Sequence, residues 1–474
     1  MDPAIRIALR AALTGASLSA ALVARADPAD DAGGYAHAQS PGDAGTPAQV
    51  EPEGLPIVFA ARPVMGAEVR ACSFREPLCV HFPAGTDPSK MARALASAEE
   101  AWQAASWGLR LPPPDIDLWT GAFDLYLVDG VSGGARAELA ARDPIASFDR
   151  ASAFMRVDAG LAGCALDTAV ARETARAILW RTAPATDPAT ARAETSYLAR
   201  LMVPCAFEAP GGVDVFQSHP EVSVAGLLGK TLPEATASAL AEEYASGASL
   251  FYWWLDYSFG NSPGGLVRAL WALAPTKTPP SASRWVGRPS GFDVLRVSFK
   301  DALTSGSTLD DLLLDFAVAR AFVGNGSDAD RMPETQALGA AGRPRAEWSL
   351  DWPTAPRRLA AARGVEPTGA AYVEVDCHAA PKGARLRFEA EWEQHEKMRW
   401  AAVKVDDAGH ERGAVAITGA DRGTEAQGTV VDLEGVARVV FVGTNTGDPF
   451  SPFDPNDVIP EPHGYVVSVA GETP

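Results

Sequence analysis

Three stretches of hydrophobic pattern follow one another along this chain. From residue 55 to 158, short apolar runs read as strands: 56–60, 79–82, 124–129 and 151–158. Between them Met91, Leu95, Ala98 and Trp102 recur at helical spacing and predict a helix from Thr86 or Asp87 to about Trp107, ended by Pro112, Pro113 and Pro114. From 164 to 322 the period is helical. A hairpin of two helices is expected over 164–205, then a long helix over 234–257, with shorter ones over 266–273, 292–303 and 309–322. Aromatic residues at helical spacing in the long helix, Phe251, Trp253 and Trp254, read as core. A Gly-, Asp- and Pro-rich loop covers 324–347. Beyond it the period becomes two, with short strands expected at 371–376, 384–390, 399–405, 428–433, 437–442 and 465–469. Short strands separated by Gly and Asp turns pack naturally as a β-sandwich. The fold class expected is therefore α+β.

The hairpin organises the rest. Asp167 is a suitable N-cap for its first helix and Pro184 a stop. Asp187 caps the second helix, with Pro188 at its first turn and Pro204 beyond its end. Cys164 and Cys205 stand at its two outer ends, which an antiparallel hairpin brings together, so a disulfide there is plausible.

Arg172-Glu173-Thr174-Ala175-Arg176 on the first helix resembles the His-Glu-x-x-His helix of gluzincin-type zinc metallopeptidases. Glu194, on the second helix, stands where such enzymes carry a third zinc ligand. With an edge-strand-like segment before it (151–158) and a Glu243–Phe251 helix after it, the region is similar to the secreted metallopeptidases of myxobacteria and their relatives. That resemblance implies a zincin-like domain over 55–335, followed by an accessory domain over 345–474. The departure is at the metal. Catalytic zinc requires imidazole, thiolate or carboxylate ligands and an open position for water. Arg172 and Arg176 offer no lone pair and repel a dication. Glu173 remains at the general-base position. We expect the arginines to replace the metal's charge and to pair with Glu173 and Glu194.

Composition narrows the setting. The 474 residues suit two or three domains. A formal charge of −19, with 41 Lys and Arg against 60 Asp and Glu, argues against nucleic acid and anionic membrane as partners. Arg6 and Arg10, the apolar stretch 11–24 and Ala24-Arg25-Ala26 read as a signal peptide cleaved after Ala26, so a secreted or periplasmic location is expected. Residues 27–54 read as a disordered acidic linker. No stretch is apolar enough to span a membrane. Five cysteines suit export: Cys72 could pair with Cys79, and Cys377 reads as buried.

Other chemistry finds little support. None of the seven histidines stands three to five residues from another, so no two-His metal helix exists. His219 alone follows the hairpin closely. Residues 245–249 lack the first glycine of a nucleophile elbow. Asp448, Asp454, Asn456 and Asp457 gather oxygen ligands of the kind calcium takes, in no EF-hand spacing. Glu173 and Glu194 as an acid/base pair would both be held ionised by the arginines, which spoils that task.

The expectation is thus an exported, catalytically inactive metallopeptidase-like protein that binds or scaffolds an extracellular or envelope peptide or protein. No cofactor is expected, with zinc only if the site proves active. The rivals are an active hydrolase with atypical residues, and a binding protein working through its C-terminal β-sandwich.

Overall fold

The computed structural model describes residues 55–473 except 118–119, 208–210, 225–233, 288, 301–306, 329, 333, 394–395, 420–422 and 450–463. The expected signal peptide and linker lie outside the described residues, as do Asp454, Asn456 and Asp457.

The first half is a five-stranded sheet packed on helices. Strands β1 (Glu68–Cys72), β2 (Leu78–Pro83), β3 (Phe123–Val128), β4 (Ala135–Arg142) and β5 (Ala151–Asp158) lie in the order β1-β2-β3-β5-β4. β2, β3 and β5 run parallel, while β1 and β4 are antiparallel to their neighbours. The alternation of side chains sorts the faces. Leu78, Val80, Phe123, Leu125, Leu127, Met155 and Val157 join the helical core. His81, Asp124 and Tyr126 point the other way. There His81 lies between Glu68 (2.6 Å) and Asp124 (2.9 Å), and Arg62 from the N-terminal segment donates to Asp124 and Tyr126. Residues 56–60, expected as a strand, make only an isolated bridge, Pro56 to Arg284. The 151–158 strand forms as expected, but it is not the edge. That place belongs to β4, whose Ala-rich sequence hides its apolar face.

Helix α1 (Pro88–Gln103) and the hairpin α2 (Gly163–Thr182) and α3 (Pro188–Met202) cover the sheet. Asp187 caps α3 as expected, accepting from the amides of Ala189 and Thr190. Asp167 is not the cap of α2. The helix starts four residues earlier, after Ala162, and Asp167 instead accepts from Ser97 and Arg93 of α1, tying the two helices together. Four of the five cysteines form the pairs Cys72–Cys79 and Cys164–Cys205, and Cys377 is free and buried. Paired cysteines of this kind belong to chains that fold in an oxidising compartment. No helix among the described residues is long and apolar enough to cross a membrane.

Helices α4 (Val213–Ser218), α5 (Glu234–Gly247), α6 (Ser249–Phe259), α7 (Gly265–Leu273), α8 (Gly291–Ser298) and α9 (Leu309–Arg320) complete this half. The single helix expected over 234–257 is two, α5 and α6, broken at Ala248. Gly247 ends α5 where it meets Gly212 at the start of α4, so closely that a Cβ on either glycine would overlap the backbone of the facing segment. Phe251, Trp253 and Trp254 are core, as expected.

Among the described residues, the second half has nine strands rather than six: β6 (Trp348–Leu350), β7 (Arg357–Ala360), β8 (Ala370–Asp376), β9 (Arg385–Trp392), β10 (Met398–Val405), β11 (Glu411–Gly419), β12 (Glu425–Val430), β13 (Arg438–Asn445) and β14 (Tyr465–Glu472). They form one sheet in the order β6-β8-β13-β10-β11-β12-β9-β14-β7. Among the described residues, its two parts, β6-β8-β13-β10-β11 and β12-β9-β14-β7, are joined by the short β11–β12 pairing of Thr418 with Gln427 and Gly419 with Ala426. The sheet curls there and folds its ends face to face. Phe388 of β9 stacks on Phe441 of β13 with ring centroids 4.2 Å apart, and Trp400 of β10 meets Tyr465 of β14 at 5.6 Å. The expected sandwich is therefore one continuous curled sheet.

The halves are fused. Ala317, Val318 and Phe322 pack on Ala370, Tyr372, Ala401, Val403, Val440 and Val442 from the outer face of the second sheet. The Tyr372 hydroxyl donates to the Ala317 carbonyl at 2.8 Å. The buried Glu366 carboxylate accepts from the Ser223 amide.

Candidate functional site

Helix α2 is buried on almost every side, and alanines at 169, 171, 175 and 177 let the sheet and α3 approach it closely. At its centre Glu173 is 1% exposed. A lone carboxylate at such a position would be protonated, because burial disfavours the charge. Here that tendency is overcome. Nε of Arg172 donates to Oε1 at 2.9 Å, Nη1 of Arg192 lies 3.4 Å from the same oxygen, and the Ala137 amide of edge strand β4 donates to Oε2 at 2.9 Å. Arg176, one turn beyond Arg172, adds its charge. Burial raises the Glu173 pKa, but the three guanidinium groups and the amide outweigh it and hold the carboxyl below its ordinary value. The mutual repulsion shows on Arg192, whose pKa burial and the neighbouring Arg172 and Arg176 push down to about 10.

Arg172 also donates to the Gly133 carbonyl at 3.2 Å, and Arg192 to the Ser246 hydroxyl at 2.8 Å. The centre thus ties α2 to the β3–β4 turn, to β4, to α3 and to α5. Glu173 has no face turned to water, and both its oxygens are engaged.

Glu194 lies elsewhere. Two residues on from Arg192 is about 200° around an α-helix, so the two side chains leave α3 on opposite sides. Glu194 is 1% exposed and accepts from the indole Nε1 of Trp271 on α7 at 2.8 Å. Burial, with Asp187 nearby, raises its pKa to about 8 despite the indole bond, and no arginine of the described residues is among the causes of that shift. The expected pairing of the arginines with both glutamates therefore occurs at Glu173 alone. The residue of α3 that faces the motif helix is Arg192, which the sequence motif does not single out.

Among the described residues, no three His, Cys, Asp or Glu side chains come together to hold a metal ion. His219 lies 3.6 Å from Glu221 near the junction of the halves. Of the residues expected to suit calcium, Asp448 pairs with Arg296 of α8 at 3.0 Å.

A second polar region lies at the junction of the halves. A cavity of about 440 Å³ opens between the turn at Asn325 and Gly326 and the ends of β8, β10 and β13. His378 sits on its wall between Asp376 (2.7 Å) and Asp407 (2.9 Å), and these two carboxylates raise the imidazole pKa. Arg343 pairs with Glu374 at 2.5 Å. Apart from the turn 406–409, these residues come from scattered points of the chain, and only folding brings them together.

No protein-family model matches the chain, and no curated protein is similar to it. Among solved structures, the pre-peptidase C-terminal domain of a collagenase from Bacillus anthracis aligns over 97% of its own length and 27% of this chain, at 8% identity and a TM-score of 0.18. A chitosan-binding module from a chitosanase/glucanase of a Paenibacillus species aligns over 74% of its length and 23% of this chain, at 15% identity and a TM-score of 0.14. Neither likeness reaches the level at which a whole fold is shared.

Proposed function

We propose that this chain is an exported protein on a metallopeptidase-like scaffold that acts by binding an extracellular or envelope peptide or protein, not by hydrolysis. One observation carries this reading: the carboxylate at the general-base position, Glu173, is closed off from water. A general base must reach the water it activates, whereas both Glu173 oxygens are taken by Arg172, Arg192 and the Ala137 amide. Arginine at 172 and 176 removes the two imidazoles that zinc would need. Fixed positive charge instead keeps Glu173 ionised and turns a reactive centre into a structural one. The signal peptide read at 1–26 and the two disulfides support export.

Elemental analysis of the mature chain after dialysis against zinc, paired with a casein-cleavage assay, tests the reading. Expected are no stoichiometric zinc and no cleavage. About one tightly held zinc per chain, or cleavage that Glu173→Gln abolishes, would establish the rival active hydrolase.

A further inference from the structure

The cavity at the junction of the halves is lined by a cation, Arg438, whose Nε hydrogen-bonds to no counter-ion among the described residues. Arg438, the first residue of β13, reaches across the seam until its Nη2 lies against Gly326. Its Nε is buried and has no hydrogen-bond partner among the described residues. The other charges around it are matched. Arg343 is paired to Glu374, and His378 is clamped between Asp376 and Asp407. Burial and the nearness of Arg343 lower the Arg438 pKa, against the pull of Glu374, as befits a guanidinium lacking its anion. A buried donor left unpaired costs about 1–3 kcal/mol, and more when it is charged.

We propose that this cavity binds a small zwitterion, an α-amino acid or a dipeptide, with its carboxylate on the Arg438 guanidinium that lines it and its ammonium among the carboxylates opposite. A guanidinium edge takes a carboxylate through two parallel hydrogen bonds. His378 uses only Oδ1 of Asp376 and Oδ1 of Asp407, and Arg343 only Oε2 of Glu374, which leaves acceptor oxygens for an ammonium. The same carboxylates disfavour sulfate or phosphate, whose added charge they would repel. Among the described residues no Phe, Tyr or Trp lines the cavity, so the broad stacking face a sugar ring uses is missing. The volume of about 440 Å³ falls within the range of small-molecule sites and exceeds the needs of a single amino acid. The residues come from both halves of the chain, so occupancy would stiffen the seam that joins them.

Isothermal titration calorimetry on the full mature chain tests this with glycine, arginine, glutamate, leucine and glycylglycine. N-acetylglycine lacks the ammonium, glycinamide lacks the carboxylate, and sodium sulfate is a bare anion. Binding of one or more zwitterions is expected, with either blocked form at least about tenfold weaker. Tighter binding of glycylglycine than of the free amino acids assigns the site to dipeptides, and the reverse order to amino acids. Arg438→Gln should weaken binding at least about tenfold while its melting temperature stays at or above that of the parent, since a buried, unpaired Nε–H is removed. Asp407→Asn, on an exposed turn, should keep the fold, weaken the zwitterions and ease the repulsion of sulfate. No heat from any zwitterion at about 10 mM, equal binding of the blocked forms, sulfate binding at least as tight, or an unchanged Arg438→Gln would each overturn the proposal.

Discussion

The backbone amide of Ala137 donates to the carboxylate of Glu173 at 2.9 Å, so the edge strand of the first sheet is fastened to the central helix by a side chain. That bond makes Glu173 a keystone. Replacing it with alanine leaves Arg172, Arg176 and Arg192 facing one another and leaves the Ala137 amide unpaired. Removing one partner of a buried ion pair costs about 3–5 kcal/mol, so Glu173→Ala should lower the stability of the chain by at least that much in urea unfolding. Glu173→Gln keeps an acceptor for Ala137 but loses the charge, and should fall between the two. A catalytic residue freed of strain would give the opposite result, with a variant as stable as the parent or more so.

Glu194 predicts a pH dependence of the opposite kind. Its folded-state pKa is raised to about 8, above its ordinary value, so the neutral acid is the form that suits the fold. Its contribution is full below the ordinary carboxylate pKa and is lost as pH rises from there to about 8, because the unfolded chain gives up its proton first. Asp187 and Asp256 are shifted the same way by burial and add to the slope. Glu194→Gln keeps the acceptor for Trp271 and removes the titration. The variant should match the parent near pH 5 and exceed it in melting temperature near pH 9. Equal melting temperatures at both ends would mean that Glu194 is ionised in the folded protein.

Which features the sequence showed depended on whether their cause was local. The caps at Asp187 and Pro188, the helical hairpin and the nearness of Cys164 to Cys205 all follow from spacing over a few turns, and the structure contains them. Strand β4 escaped notice because its buried positions, Ala135 and Ala137, are alanines set among Arg and Glu, a pattern that reads as polar. Asp167 looked like a cap, but a tertiary partner, Ser97 on α1, decided its role. Arg192 could have been found by asking which residue of α3 shares a face with the motif helix instead of by matching Glu194 to a motif. The cavity around Arg438 joins residues more than a hundred positions apart, and only the folded chain assembles it.

Gly247 and Gly212 allow α4 and α5 to touch backbone to backbone. A methyl group at 247 has no flexible side chain to push aside, since it meets the Gly212 carbonyl and the Phe216 Cβ. Overpacking against rigid neighbours costs about 1–3 kcal/mol and sometimes more, whereas an exposed helical Gly→Ala change normally stabilises by up to about 1 kcal/mol. Gly247→Ala should therefore destabilise by roughly 2 kcal/mol or more in denaturant unfolding. A stabilised variant would mean that the helices can separate at little cost.

The two halves should not survive apart. The outer face of the second sheet carries Ala370, Tyr372, Ala401, Val403, Val405, Val440 and Val442, and Ala317, Val318 and Phe322 of the first half cover it. Cutting the chain near residue 344 exposes both sides of that contact as apolar patches of the kind that drive aggregation. It also leaves the buried Glu366 carboxylate and Thr368 hydroxyl without the Ser223 and Val224 amides they bind. Fragments 55–344 and 345–474, produced separately, should bind a hydrophobic dye and self-associate in size-exclusion chromatography, while the intact chain does neither. Mixing them should restore a folded complex if the seam alone was lost. Two monomeric, dye-silent fragments would show instead that the second half is an independent module and that the packing of α9 against it contributes little.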